Sequence, residues 1–193
     1  MRGLLILAFV GAVWTVPAFG ESAAGESPGG MIASGTLGVW QIDGNDAIGV
    51  DDINLNVAIA SLGYEWGQPN DAVRVSADFR VGFGGDDSQT FETAGIETEG
   101  TIDFKRLLGV GVRAEFGQKF YGFVGGNYDD IEVEISASGG GHSISSTVSD
   151  SDFGVAYGVG YRATDGGGIE VGVQNLLGAS DANFIGIGFR GRF

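Results

Sequence analysis

The chain has 193 residues, a formal net charge of −15, 37 glycines, three prolines and no cysteine. Without cysteine there is no disulfide framework, and so acidic a chain is repelled by nucleic-acid phosphates. Beyond the first twenty residues no stretch is apolar for the roughly 18 to 20 residues a membrane helix needs, so any crossing of a bilayer must be made by strands.

Residues 1–20 place Arg2 before the apolar run Leu4 to Val16 and close on Pro17-Ala18-Phe19-Gly20. That is the pattern of a cleaved secretory signal. Losing Arg2 with it takes the charge from −15 to −16. Residues 21–30, rich in Gly, Ser and Ala, read as a flexible lead-in, and residues 31–193 read as one domain that begins near Met31.

Ala33 to Ile42 is strand-like without a settled phase. In the next segment Ile53, Leu55, Val57 and Ile59 share a face. The apolar phase then moves to Leu62, Tyr64 and Trp66, which suggests a β-bulge near Ala60 to Gly63. Val73 to Phe83 is the clearest element. Its apolar residues Val73, Val75, Ala77, Phe79, Val81 and Phe83 alternate strictly with Arg74, Ser76, Asp78, Arg80 and Gly82. Such a segment has the length a tilted strand needs to cross the hydrocarbon, roughly 9 to 11 residues, against about 5 to 6 for an ordinary strand.

Ile102 to Phe116 alternates similarly but places Arg106 on the apolar face. Such a charge would cost roughly 2 to 4 kcal/mol at mid-bilayer, so a register irregularity or a position near the rim is expected there. Phe120 to Ile135 is again strand-like. Phe153 to Arg162 sets Phe, Val and Tyr against Gly and Ala, Ile169 to Gln174 continues the pattern, and Phe184 to Phe193 completes it with Gly186, Gly188, Arg190 and Arg192 on one face.

These segments make eight strands. Tight turns follow the second, fourth and sixth, and longer connections follow the first, third and fifth: Asp43 to Asp52, Gly84 to Gly100 and about Asp129 to Ser151. Gly178 to Ala182 is the short exception. This asymmetry is that of an outer-membrane barrel, with turns on the periplasmic side. The expected fold is all-β, an eight-stranded antiparallel up-and-down transmembrane barrel closed so that no edge faces lipid.

Its interior would hold Arg74, Asp78, Arg80, Asp103, Lys105, Arg113, Glu115, Arg162, Glu170, Arg190 and Arg192. Both signs are present, so the pattern calls for an internal salt-bridge network and not an open pore.

The leading segment, the eight amphipathic strands, the Gly158-Val159-Gly160-Tyr161-Arg162 strand running into a tight turn and the last strand ending at Phe193 together resemble the small outer-membrane β-barrel family of the OmpA barrel-domain and OmpX type. The resemblance covers Met31 to Phe193 and implies residence in the cell outer membrane, in contact with its lipid and lipopolysaccharide. It also implies that Phe193 is a signal to the outer-membrane assembly machinery. The chain departs from OmpA in stopping at the last strand, so no cell-wall-binding role carries over.

His142, the single histidine, lies among Gly139-Gly140-Gly141 and Ser143, Ser145 and Ser146 in what reads as a loop without a rigid element to fix a catalytic geometry. No catalytic residue, cofactor or enzymatic activity is expected. The acidic groups Asp43, Asp46, Asp51 and Asp52; Asp86, Asp87, Glu92, Glu97 and Glu99; and Asp129, Asp130, Glu132, Glu134 and Asp150 read as solvated loops, with divalent cations as the alternative and no ligand set defined. Trp40, Tyr64, Trp66, Tyr121, Tyr128 and Tyr161 fall near strand ends, where aromatic girdles meet the lipid interface. The expected role is structural or surface interaction through three mobile acidic loops. A narrow solute pore and a soluble periplasmic barrel holding an apolar ligand are the alternatives.

Overall fold

The computed structural model describes residues 29–42, 52–68, 71–93, 96–164, 167–175 and 182–193. The proposed signal, most of the lead-in, residues 43–51 of the first long connection and residues 176–181 lie outside the described residues. Among the described residues there are nine strands: β1 (Gly29–Ile42), β2 (Ile53–Trp66), β3 (Val73–Gly84), β4 (Asp86–Thr93), β5 (Ile96–Gly117), β6 (Phe120–Gly139), β7 (His142–Thr164), β8 (Gly167–Asn175) and β9 (Ala182–Arg192). Among the described residues no helix is long and apolar enough to cross a membrane.

Every sequential neighbour pairs antiparallel except β3 with β4, and β9 returns to β1. The ring closes where β3 pairs with β5, from Val73 opposite Phe116 to Gly82 opposite Leu107. Beyond Gly85 the same stave continues as β4, which takes over as the partner of β5. The result is the eight-stave antiparallel barrel expected from the sequence, with β3 and β4 sharing one stave. At that joint the Gly85 N–H donates to the Asn56 carbonyl at 2.8 Å and its own carbonyl accepts from Phe104 N–H at 3.1 Å.

The outward face is apolar over a band that includes Val75, Phe79, Val110, Val112, Val155, Val159, Val171 and Ile187, all exposed. No second layer of protein covers this face among the described residues, which is what a strand facing lipid requires and a water-soluble sheet avoids. Tight turns join β2 to β3, β5 to β6 and β7 to β8, and both described chain ends lie at this turn end of the barrel.

Two sequence expectations change. First, β2 contains no bulge: its registers with β1 and β3 run unbroken through Ala60 to Gly63. What shifts is the chemistry of each face. Leu55, Val57 and Ile59 point inward and are buried, and so does Glu65, while Leu62 and Trp66 point out. Second, two of the supposed mobile loops are strands. Gly84 to Gly100 forms β4 and the start of β5, and Asp129 to Ser151 is the β6–β7 hairpin, turned at Gly140 and Gly141 with φ of 58° and 81°. Positive φ at two successive positions is the geometry of a two-residue hairpin loop, and glycine adopts it without strain.

Candidate functional site

The lumen divides along its axis. At the turn end the inward positions carry paired charge. Glu115, 1 % exposed, is the hub: Arg74 donates to its Oε2 at 2.7 Å and Arg113 to its Oε1 at 2.7 Å, Arg190 lies 3.2 Å away, and Arg162 also binds it. Glu170 accepts two bonds from Arg113, at 2.7 and 2.5 Å, and one from the Tyr121 hydroxyl at 2.6 Å. Glu65 stands 3.4 to 3.6 Å from Arg74, Arg190 and Arg192.

One level further in, Arg80 donates to Gln174 at 2.5 Å and faces Asp129 at 3.7 Å. Asn127 and Gln174 also donate to Asp129. Charge-assisted bonds to several partners are what allow ions to sit in a space closed to bulk water.

Two aromatic rings complete this layer. The tip of the Phe123 ring reaches β7 and β8, where a Cβ at Gly158 or Gly172 would come within 2.6 or 2.7 Å of its Cζ, so glycine at both positions leaves room for the ring. The Arg113 guanidinium stacks 3.9 Å from the Phe123 centroid, and Arg162 stands 3.9 Å from that of Tyr121.

At the loop end the lumen is filled by an apolar cluster: Trp40, Leu55, Val57, Ile59, Phe104, Leu107, Ile131 and Phe184. Trp40 from β1 and Phe104 from β5 meet edge to face, 5.4 Å between centroids, across the barrel. Between the two layers lies a cavity of about 100 Å³ whose mixed lining includes Ser34, Ser61, Asp78, Asn127 and Gln174 as well as Ile59 and Phe184.

Above the barrel, β4, the start of β5, the end of β6 and the start of β7 stand clear as a four-stranded projection. Its base is fixed by a β-bulge between Phe104 and Arg106. There Lys105 bonds Asp103 at 2.6 Å and Glu134 at 2.8 Å, while Arg106 bonds Glu132 at 3.1 Å and faces Asp130 at 3.9 Å. The hydrogen bonds to Asp103 and Glu134 raise the Lys105 pKa above the ordinary lysine value. No other Lys or Arg occurs between Phe83 and Phe104 or between Phe120 and Tyr161, so both bases of the projection are already paired with its acids.

Nine of the eleven expected interior charges point into the lumen: Arg74, Asp78, Arg80, Arg113, Glu115, Arg162, Glu170, Arg190 and Arg192. Asp103 and Lys105 do not. The bulge reverses the phase of β5, turning Phe104 inward and leaving these two partly exposed on the outside. Arg106, the misfit of the sequence pattern, is on the outer face beside them, above the apolar band, as the expected irregularity implied.

Glu65, Asn127 and Gln174 join the lumen without having been singled out, and Asp129, grouped by the sequence pattern with the acidic loops, joins them. Each alternates with an outward apolar neighbour, which was the available signal. Asp129 is fully buried and so leaves the acidic loop group. Tyr64, Trp66 and Tyr161 face outward near strand ends, Tyr128 faces outward but in the middle of β6 and not at its end, and Trp40 and Tyr121 are buried in the lumen and form no part of a girdle. His142 is exposed on a strand at the hairpin tip and not in a loop. Among the described residues no group of three or more His, Asp or Glu side chains is disposed to hold a metal ion.

Several solved outer-membrane barrels are similar to this chain. Neisserial surface protein A is 14% identical, with 88% of this chain and 99% of that one aligned at a TM-score of 0.47. The attachment invasion locus protein Ail of Yersinia pestis is also 14% identical, with 86% and 97% aligned at 0.46. The N-terminal β-barrel domain of Pseudomonas aeruginosa OprF is 11% identical, with 86% and 99% aligned at 0.45. No curated protein sequence matches the chain. The family model described as outer membrane protein beta-barrel domain matches residues 6–193, and with nearly the whole sequence accounted for, the chain belongs to that family and is an outer-membrane protein.

Proposed function

We propose that this protein is a closed barrel with a structural or surface-interaction role, neither a transporter nor an enzyme, that holds an acidic projection outside the cell. The supporting observation is the lumen. A buried charge network occupies one end, an apolar cluster fills the other, and a cavity of about 100 Å³ lies between them. A solute route would need a continuous wet channel. The projection is the remaining distinctive surface, and tight turns at the opposite end orient it outward by the usual rule for such barrels. Contact with membrane lipid and lipopolysaccharide, with divalent cations bridging to the acidic surface, belongs to this reading. So does assembly through Phe193, whose N–H donates to the Met31 carbonyl at 3.0 Å and ties the last residue to β1.

A protease site inserted between Gly140 and Gly141 tests the reading. Protease added to intact cells should cut the hairpin while the barrel stays in the outer membrane and keeps its heat-dependent gel shift. An uncut hairpin on a correctly assembled barrel would overturn the orientation, and reproducible unit conductance in planar bilayers would overturn the closed lumen.

A further inference from the structure

The ion pairs at the turn end of the lumen do not balance. They join five guanidinium groups, of Arg74, Arg113, Arg162, Arg190 and Arg192, to three carboxylates, of Glu65, Glu115 and Glu170. One level further in, Arg80 stands with Asp78 and Asp129. Counting these as well gives six positive groups against five negative ones, so the lumen is positive in a chain whose net charge is −15. A buried charge without a counter-charge is expensive, and most side chains escape the cost by changing protonation. A guanidinium does not, so the excess calls for an anion from outside the chain.

The structure has a place for one. Inside the network, at the turn end, lies a second cavity of about 20 Å³, walled by Arg74, Arg162, Arg190 and Arg192 together with Glu65 and Tyr121. That is room for about one water-sized occupant. Arg74 is 2% exposed, and among the described residues its Nε–H has no acceptor. The two arginines toward the rim are fixed by the turns: Arg192 donates to the Gly67 carbonyl at 2.7 Å and Arg162 to the Gln118 carbonyl. Part of the cationic wall is therefore in position before any ion arrives, which spares the cost of ordering it on binding.

We infer that this cavity binds a single small inorganic anion, of the size and charge of chloride, which enters at the turn end and is held by Arg74, Arg162, Arg190 and Arg192. One such ion brings the lumen to neutrality. A tetrahedral oxyanion such as phosphate is too large for the space. Ile32 also lines the cavity. It is 1% exposed, pairs with Arg192 in the register of β1 with β9, and stands apart from the apolar cluster at the loop end. It is thus the position from which a carboxylate could replace the ion.

The test unfolds the purified full-length barrel with urea in detergent micelles while sodium gluconate is exchanged for sodium chloride at constant ionic strength. Above half-saturation each tenfold rise in chloride should lower the unfolding equilibrium constant about tenfold, as mass action requires of one site present only in the folded state. Sodium phosphate in place of the gluconate should not reproduce the effect. Ile32→Glu, a side chain no larger than the one it replaces, puts a tethered carboxylate beside Arg192 and should abolish the chloride dependence while the heat-dependent gel shift persists. Arg192→Gln removes the excess cation and should abolish it as well.

A parent barrel whose unfolding ignores chloride would overturn the site. So would an equal response to phosphate, which would reduce the effect to attraction at an open rim, or a chloride dependence unchanged in both variants, which would put the ion elsewhere. Should neither variant assemble, the chlorine NMR linewidth of a chloride solution decides on the parent alone: bound ion broadens it, bromide should reverse the broadening, and a linewidth equal to that of protein-free buffer would overturn the proposal.

Discussion

The two ends of the lumen solve one problem in opposite ways, and β2 contains both solutions. Toward the loop end its inward residues are Leu55, Val57 and Ile59 and its outward ones Asn54, Asn56 and Ala58. Toward the turn end Ser61, Gly63 and Glu65 face in while Leu62, Tyr64 and Trp66 face out. The register never breaks. Apolar side chains go to whichever side is dry. Where lipid surrounds the barrel that side is the outside, and the interior is left to charges that must satisfy one another. Where the staves stand clear of lipid, the lumen is the one place away from water and becomes a small core of the ordinary kind.

The largest effect is expected from the charged end. Glu115→Ala removes the carboxylate shared by Arg74, Arg113, Arg162 and Arg190 and leaves cations in a closed space. Taking one partner from a buried ionic group costs about 3–5 kcal/mol. Urea unfolding of the barrel in lipid vesicles should show a loss of that order. Stability equal to the parent would mean that the network is as well hydrated as a surface, and the contrast between the two ends would collapse.

The apolar end can be set against the lipid face by two neighbouring leucines. Leu107 is fully buried in the apolar cluster, and Leu108 is 37% exposed on the outside. Leu107→Ala empties part of a packed core and should cost about 3 kcal/mol. Leu108→Ala exchanges one lipid contact for another and should cost less than about 1 kcal/mol. The same unfolding titration checks both, and similar losses would deny that the loop end of the lumen is packed as a core.

This division explains which parts of the structure the sequence discloses. β3 is legible throughout because Val73 to Phe83 stays within the lipid-facing band, where one face is uniformly apolar. β2 crosses from one regime to the other, and its change of apolar side resembles a one-residue slip, since both move the apolar residues to the other side of the alternation. The real slip, at Lys105 in β5, is disguised because Ile102 and Phe104 face the core while Leu108 and Val110 face outward, all at even positions. Only Arg106 betrays it. The hairpin of β6 and β7 was hidden for another reason. Beyond Ile135 both of its strands are Ser- and Gly-rich, and exposure on both faces removes the periodicity by which strands are recognised.

The smallest effect is expected where the bulge puts charge outside. Arg106 is half exposed, and its pairs with Glu132 and Asp130 at 3.1 and 3.9 Å lie open to solvent; exposed pairs contribute about 0–1 kcal/mol. Arg106→Ala should therefore shift the unfolding midpoint by less than about a third of the Glu115→Ala shift, although both remove an ion from a network. The neighbouring Lys105 pairs should also survive alkaline titration. Because partnering raises the folded-state pKa of this lysine, any stabilisation it gives is complete below the unfolded lysine value of about 10.4 and is lost only as pH rises above it. Between pH 6 and 9 the pH dependence of stability should be the same with and without Lys105→Met, because the lysine stays charged throughout that range in both the folded and unfolded chain. A strong pH dependence that this substitution removes would place Lys105 in an environment far drier than the outer face of the projection, and with it would move the boundary at which the staves leave the lipid.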